Sequence, residues 1–253
     1  MTYRTDASLR VDETRRLDSI PSLRAKPVNL LLAGLPLKAR KQVLGLCEEV
    51  ELSFGSILCE PQAAYQHVFF PTTAFISLVA TVDDRRPLEM GLIGFEGMLG
   101  VTLVLDVAAA PLRGVVQGPG FALKMKAADF RHQVDTNPPL LRVLKRYLYV
   151  LSAQLSQTAA CTRFHEIEAR LSRWLLMTHD RAHADHFHLT HTFLADMLGV
   201  QRSAVTIAAG ALQRRGLIRY TRGEITILDR AGLEGASCVC YAAVIEDYAL
   251  LFG

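Results

Sequence analysis

Between Arg202 and Arg222 the chain carries five arginines and no acidic residue. A guanidinium stays charged at any physiological pH and presents a planar fork of donors. That fork matches the acceptor pair on a guanine edge or the oxygens of a phosphate. Arg202 stands among Gln201, Ser203 and Thr206, whose side chains can also bond base edges, so these four are the expected base contacts. Arg214, Arg215, Arg219 and Arg222, with the hydroxyls of Thr190 and Thr192, are the expected phosphate contacts. They would supply affinity and register but little sequence information. Ala204, Ala208, Ala209 and Ala211 cannot reach base hydrogen-bonding groups, and Ile207 offers only apolar contact. Direct readout is therefore expected to be sparse, with Arg202 as its main carrier. The segment from His165 to Gly253 holds 9 Lys plus Arg and 10 Asp plus Glu, and the whole chain carries a net charge of +3. Any nucleic-acid site must then be a local patch rather than a chain-wide basic coat.

A second set of residues could bind metal. "THDRAHADHFHLTH" places His179 and His183 four apart on a helix, then His186 and His188 on one face of a strand. Imidazoles so placed could hold zinc or another divalent ion. The alternative is a solvated connection with incidental histidines, since no cysteine lies within it and no carboxylate is committed. Cys238 and Cys240 form a lone C-x-C that could equally serve packing. No metal or other cofactor is assigned. Enzymatic chemistry is not expected: "HE" at His165 lacks a second histidine four residues on, where Ala169 stands, and no G-x-S-x-G, P-loop or dinucleotide-binding glycine motif occurs. Five cysteines, mostly far apart, suggest reduced thiols in a cytoplasmic protein. No apolar run reaches the ~20 residues of a membrane span, and the polar N-terminus lacks the apolar core of a secretory signal.

The elements needed to position these residues are legible. "FLADMLGVQRSAV" reads as two helices broken at Gly199, the second starting near Arg202. Thr190 is a plausible N-cap for the first, although Phe193 stands where a capping box has Glu or Gln. Leu194, Ala195, Leu198, Val200 and Val205 supply a small shared core, so the first helix can brace the second in a major groove. After Gly216, "LIRY" and "EITIL" flank a tight "TRG" turn and form a wing. Upstream, "IEARLSRWLLMTHDRAHAD" is an amphipathic helix with Ile167, Leu171, Trp174, Leu175 and Met177 inward. Before it a helix from about Pro139 to Thr162 carries Leu141, Leu144, Leu148, Leu151, Leu155, Thr158 and Thr162 in steps of three and four. Such a seam calls for a partner helix, and a twin copy would give a two-fold dimer. From Val50 to Met125 short apolar runs recur between glycines, prolines and aspartates, as in an antiparallel sandwich or barrel. "NLLLAGLPLKARKQVLGLCEEV" precedes them as one short and one longer helix, and residues 1–27 are polar and aperiodic, expected as a mobile tail.

A strand-rich domain, a long helix and a winged helix-turn-helix in this order resemble the Crp/Fnr superfamily of bacterial transcription regulators. The motifs that carry the resemblance are "LADMLGVQRSAVT", "ALQRRGLIRYTRGEITILD" and "GFEGMLG". It implies an α+β chain with a cyclic-nucleotide-binding-like β jelly-roll sensor over 28–136, a dimerisation helix over 137–164 and a winged helix-turn-helix over 165–253. It also implies a homodimer, a palindromic operator in double-stranded DNA, contact with RNA polymerase and a small-molecule effector. Members often carry a Glu and a second Arg on the recognition helix; Ser203 and Ile207 stand in those places, so only Arg202 carries over. Cyclic-nucleotide binders hold the ribose with Glu and the phosphate with an Arg-Ser pair. Met98, Ala110 and Pro111 stand there, which argues against ordinary cyclic AMP binding. Glu96 and Arg113 lie nearby as substitute effector contacts in a relocated pocket, and the apolar stretch from Met90 to Val104 would line a pocket or form barrel core. Cys47 and Cys59 alone cannot supply the thiolates of an iron–sulfur sensor, and nothing marks His67 or Cys59 as haem ligands. A metal-responsive regulator using the histidine-rich segment is the further alternative.

Overall fold

Asn29 caps the first helix, α1 (Leu30–Ala33), of the computed structural model, which describes residues 28–82, 86–182 and 184–252. The tail expected at 1–27 lies outside the described residues. The Asn29 amide nitrogen donates to the carbonyls of Pro71 (3.0 Å) and Gly97 (2.7 Å), so this fully buried polar group ties the helix to the sheets. A second helix, α2 (Leu37–Leu44), ends at Gly45. Glu48, Glu49 and Val50 do not continue it, as the sequence suggests, but open a strand, β1 (Glu48–Leu52). The register of that strand against a later one sets Glu48 opposite Lys124, with a 2.5 Å ion pair.

The strands that follow are β2 (Ile57–Cys59), β3 (His67–Pro71), β4 (Phe75–Val82) and β5 (Arg86–Ile93), then a 3-10 turn at Val101–Leu105, then β6 (Arg113–Gly118) and β7 (Gly120–Lys126). They form two antiparallel sheets, ordered β1-β7-β3 and β2-β6-β4-β5. Val68, Phe70, Ile76, Leu92, Val116 and Met125 are sealed in the core of this jelly-roll-like unit. The stretch from Met90 to Val104 is largely core: Met98, Leu99, Val101 and Leu103 are at most 2% exposed. Gly97 lies against the ring of Tyr147, which leaves no room for a side chain there.

Helix α3 (Ala127–Thr136) leads into α4 (Pro138–Phe164). The α4 N-terminus is fixed by Pro138 in the first turn and by the Asn137 side chain, which accepts from the Leu140 amide at 3.3 Å. Its 27 residues span about 40 Å. The leucine seam expected on α4 is only partly available to a partner. Leu144, Leu151 and Thr158 are buried within their own chain, because every second step of the seam turns toward the sandwich and α5 (Ile167–Ala182). Leu141, Leu148, Leu155 and Thr162 are half-buried, and exposed Ser152 and Ala159 lie beside them.

Beyond α5 come β8 (His186–His188), α6 (His191–Leu198), α7 (Arg202–Arg214), β9 (Ile218–Thr221) and β10 (Glu224–Ile227). The three strands pair in the order β8-β10-β9. Two helices not anticipated from sequence close the chain, α8 (Arg230–Ala236) and α9 (Cys240–Phe252). Within the segment 165–253, α9 packs back on α4 as well as on α5. Gln154 donates to the Tyr248 hydroxyl at 3.0 Å, Gln157 to Cys240 at 2.9 Å, and Arg146 to the Leu250 carbonyl.

Candidate nucleic-acid interface

Thr190 starts α6 by accepting from the Phe193 amide at 3.1 Å. Phe193 cannot complete a capping box; its ring instead packs edge-on against Trp174, with centroids 6.3 Å apart. Gly199, at φ 63°, ends the helix in the left-handed conformation. Buried Arg170 of α5 donates to the carbonyl of Leu198, satisfying an acceptor the helix end leaves free. Gly199 also sits over Leu88 of β5, so the first helix of the pair rests on the sandwich as well as on its own domain.

That brace orients α7. Val205, Ala208, Ala209 and Leu212 are buried, while Gln201, Arg202, Ser203 and Thr206 are exposed at its N-terminal end. The four expected base contacts therefore share the outward face of a helix whose inward face is locked. Ile207, 71% exposed, adds an apolar group to that face. Thr206 is already engaged: its hydroxyl donates to the Arg202 carbonyl at 3.1 Å and lies 2.9 Å from Nδ1 of His191. With the hydroxyl proton committed to the carbonyl, Nδ1–H is the donor to Thr206. The His191 ring stacks on Tyr220 of β9, with centroids 4.2 Å apart and planes 15° from parallel. Burial, then the charge of Arg202, pushes the imidazole below its ordinary pKa, which favours the neutral ring. His191 thus joins the recognition helix to the wing. In sequence it is one more histidine among several; the stretch "HLTHTF" does not show that Tyr220 and Thr206 meet it.

Tyr220 is held from α7 as well, its amide donating to Gln213 at 2.8 Å. The β9–β10 connection is a two-residue turn, Arg222 at φ 53° and Gly223 at φ 88°. Positive φ at both central residues matches the twist of paired strands and puts Arg222 at the wing tip. Thr190, Thr192, Arg214, Arg219 and Arg222 are all exposed. Arg215 is exposed but paired with Glu168 at 2.7 Å, so a phosphate would have to compete with that carboxylate.

The effector and metal candidates fare differently. Glu96 is 7% exposed and bonded to Arg181 at 2.7 Å, and it also accepts from the Gly94 amide. Arg113 pairs with Glu60 at 2.8 Å. Both candidates thus have partners within the chain, Glu96 on α5 and Arg113 just after β2. Met98 and Ala110, at the places where a nucleotide binder has its polar contacts, are fully buried. Among the histidines, His179 uses both ring nitrogens, facing Asp185 at 2.8 Å and Arg230 at 2.6 Å. His188 pairs with Glu224 at 2.7 Å, and His183 lies outside the described residues. Among the described residues, His179, His186 and His188 join no group of three ligand atoms close enough to share one ion.

Residues 169–236, from α5 through α8, match the model of the Crp-like helix-turn-helix domain. No curated protein matches the chain in sequence. Solved structures match its fold. FixK2 from Bradyrhizobium japonicum superposes with a TM-score of 0.65 at 14% identity, over 76% of this chain and 98% of that one. The transcriptional regulator TTHA1359 of the CRP/FNR family from Thermus thermophilus gives 0.63 at 20% identity, over 75% and 98%. The c-di-GMP responsive global regulator CLP from Xanthomonas campestris gives 0.63 at 14% identity, over 76% and 99%.

Proposed function

The chain has the Crp/Fnr regulator fold and carries a Crp-like helix-turn-helix domain, and from this we propose that it is a cytoplasmic, non-enzymatic transcription regulator acting as a homodimer on a palindromic operator. The observation that carries the reading is α7. Its inner face is sealed, and its N-terminal turn presents Gln201, Arg202, Ser203 and Thr206 to solvent beside an arginine-tipped wing. Arg202 reads guanine, and the remaining arginines hold phosphates.

Dimerisation runs along the free edge of α4. Leu141, Leu148, Leu155 and Thr162 recur every seven residues, with Lys145, Ser152 and Ala159 between them. Contact with RNA polymerase is carried over from the family. The sandwich does not hold cyclic AMP in the usual way, for its polar contacts are replaced by buried Met98 and Ala110 and its nearest charged candidates are paired.

Selection from a pool of random duplex DNA tests this, with and without cyclic AMP or cyclic di-GMP. The expected result is one palindrome, half-sites about a helical turn apart, enriched equally in every condition. No enriched sequence in any condition refutes the regulator reading. Enrichment only with cyclic AMP refutes the reading of the sensor.

A further inference from the structure

Away from the DNA-facing helix, four side chains of metal-ligand type converge. Cys161 and His165 are one helical turn apart at the C-terminal end of α4; Cys238 and Cys240 stand at the start of α9. One ligand atom from each lies within 4.8 Å of the other three. The Cys161 and Cys238 sulfurs are 3.5 Å apart and not bonded as a disulfide, and the Cys240 sulfur is 3.4 Å from Nδ1 of His165. The three cysteines are buried and the histidine is half-buried.

Bonds of about 2.3 Å to sulfur and about 2.0 Å to nitrogen set tetrahedral ligand atoms roughly 3.3–3.8 Å apart. The observed cluster needs little contraction to reach that. An iron–sulfur cluster spreads its protein ligands over separate irons and does not suit atoms this close.

The surroundings fit an ion as well. Apart from half-buried Ala169, the three cysteines form a satellite cluster of their own, detached from the main core. One divalent ion with three thiolates and a neutral imidazole has a net charge of −1. Buried Arg170 and Arg173 line the same small cavity as Cys161, and Nη1 of Arg173 has no hydrogen-bond partner among the described residues. Behind the ligands, Gln157 donates to the Cys240 sulfur at 2.9 Å, the kind of outer contact that orients a thiolate.

We propose that Cys161, His165, Cys238 and Cys240 bind one divalent metal ion of zinc type in a tetrahedral site of three thiolate sulfurs and one imidazole nitrogen. The ion ties α9 to the turn between α4 and α5. None of the four residues faces DNA, so the site stands or falls separately from the DNA-binding reading.

The test is titration of reduced, chelator-stripped full-length protein with Co2+ and then Zn2+. The expected result is one Co2+ per chain, with the visible bands of a tetrahedral ion and near-ultraviolet thiolate charge transfer, both abolished by one equivalent of Zn2+. Cys238→Ser should weaken Co2+ binding beyond the ~10–100-fold typical of losing a group behind a ligand, and Gln157→Ala within that range. Cys47→Ser, remote from the cluster, should change nothing. No binding, an octahedral spectrum, or a spectrum unchanged in Cys238→Ser overturns the proposal. The wild-type spectrum does not depend on any variant folding.

Discussion

Replacing Glu89 with glutamine should remove a pH dependence from the stability of this protein. Glu89 lies on β5, buried between the sandwich and α5. Burial pushes its carboxyl from 4.5 up to about 7, against the Ser77 hydroxyl and the charges of Arg173 and Arg181, which favour the ionised form. The local bonding agrees with a protonated acid. The single Ser77 proton faces two acceptors, Glu89 Oε2 at 2.6 Å and the Gln117 amide oxygen. A protonated Glu89 donates to Ser77 and frees the hydroxyl to serve Gln117, which in turn donates to Thr178 at 3.4 Å. Since the folded-state pKa is raised, the stabilising contribution is complete below 4.5. It is lost as pH rises to about 7, at ~1.4 kcal/mol per pH unit, or about 3 kcal/mol in all. Glutamine mimics the protonated acid and can still donate to Ser77. Urea unfolding of both proteins from pH 4.5 to 8 should show Glu89→Gln gaining about 3 kcal/mol on wild type between pH 4.5 and 7, then running parallel. Curves parallel throughout would mean that Arg173 and Arg181 keep Glu89 ionised in the folded state, and the argument from burial would fail.

Three further outcomes concern DNA and assembly. Arg202→Ala should cost about 1–3 kcal/mol on the selected operator and relax preference at one base per half-site, measured by competition among single-base variants; an unchanged preference refutes its role. Arg222→Gly should weaken binding to all sequences and lower the salt slope by about one per arginine lost. It should not harm folding, because φ 53° suits glycine better than arginine. Ala159→Arg, on the exposed edge of α4, should convert dimer to monomer in sedimentation with thermal stability of the monomer unit unchanged; a dimer that persists places the interface elsewhere.

The helix-turn-helix was legible because its signals are local. Thr190, Gly199 and Gly216 mark boundaries that backbone conformation demands, and Val205 and Leu212 keep their helical spacing. The α4 seam shows where periodicity stops being sufficient. A repeat of three and four states which side chains share a face, but not what covers that face. Alternate members of that repeat are covered by the chain itself, and α9 takes a neighbouring stripe at Arg146, Gln154 and Gln157.

Charged residues mislead in the same way. Glu96 and Arg113 look available in sequence because proximity to "GMLG" and "APL" is all that can be seen there. Their partners, Arg181 and Glu60, lie 85 and 53 residues away. The histidines look like ligands because they are dense in sequence, yet His179 and His188 are satisfied by Asp185, Arg230 and Glu224. Cys161 and His165 carry the four-residue helical spacing that would flag a ligand pair, and Cys238 and Cys240 the two-residue one. Neither pair can close a tetrahedron alone, and 77 residues separate Cys161 from Cys238. Only the return of α9 to α4 brings the pairs together, so the interaction that makes them a site is the same one that periodicity could not reveal.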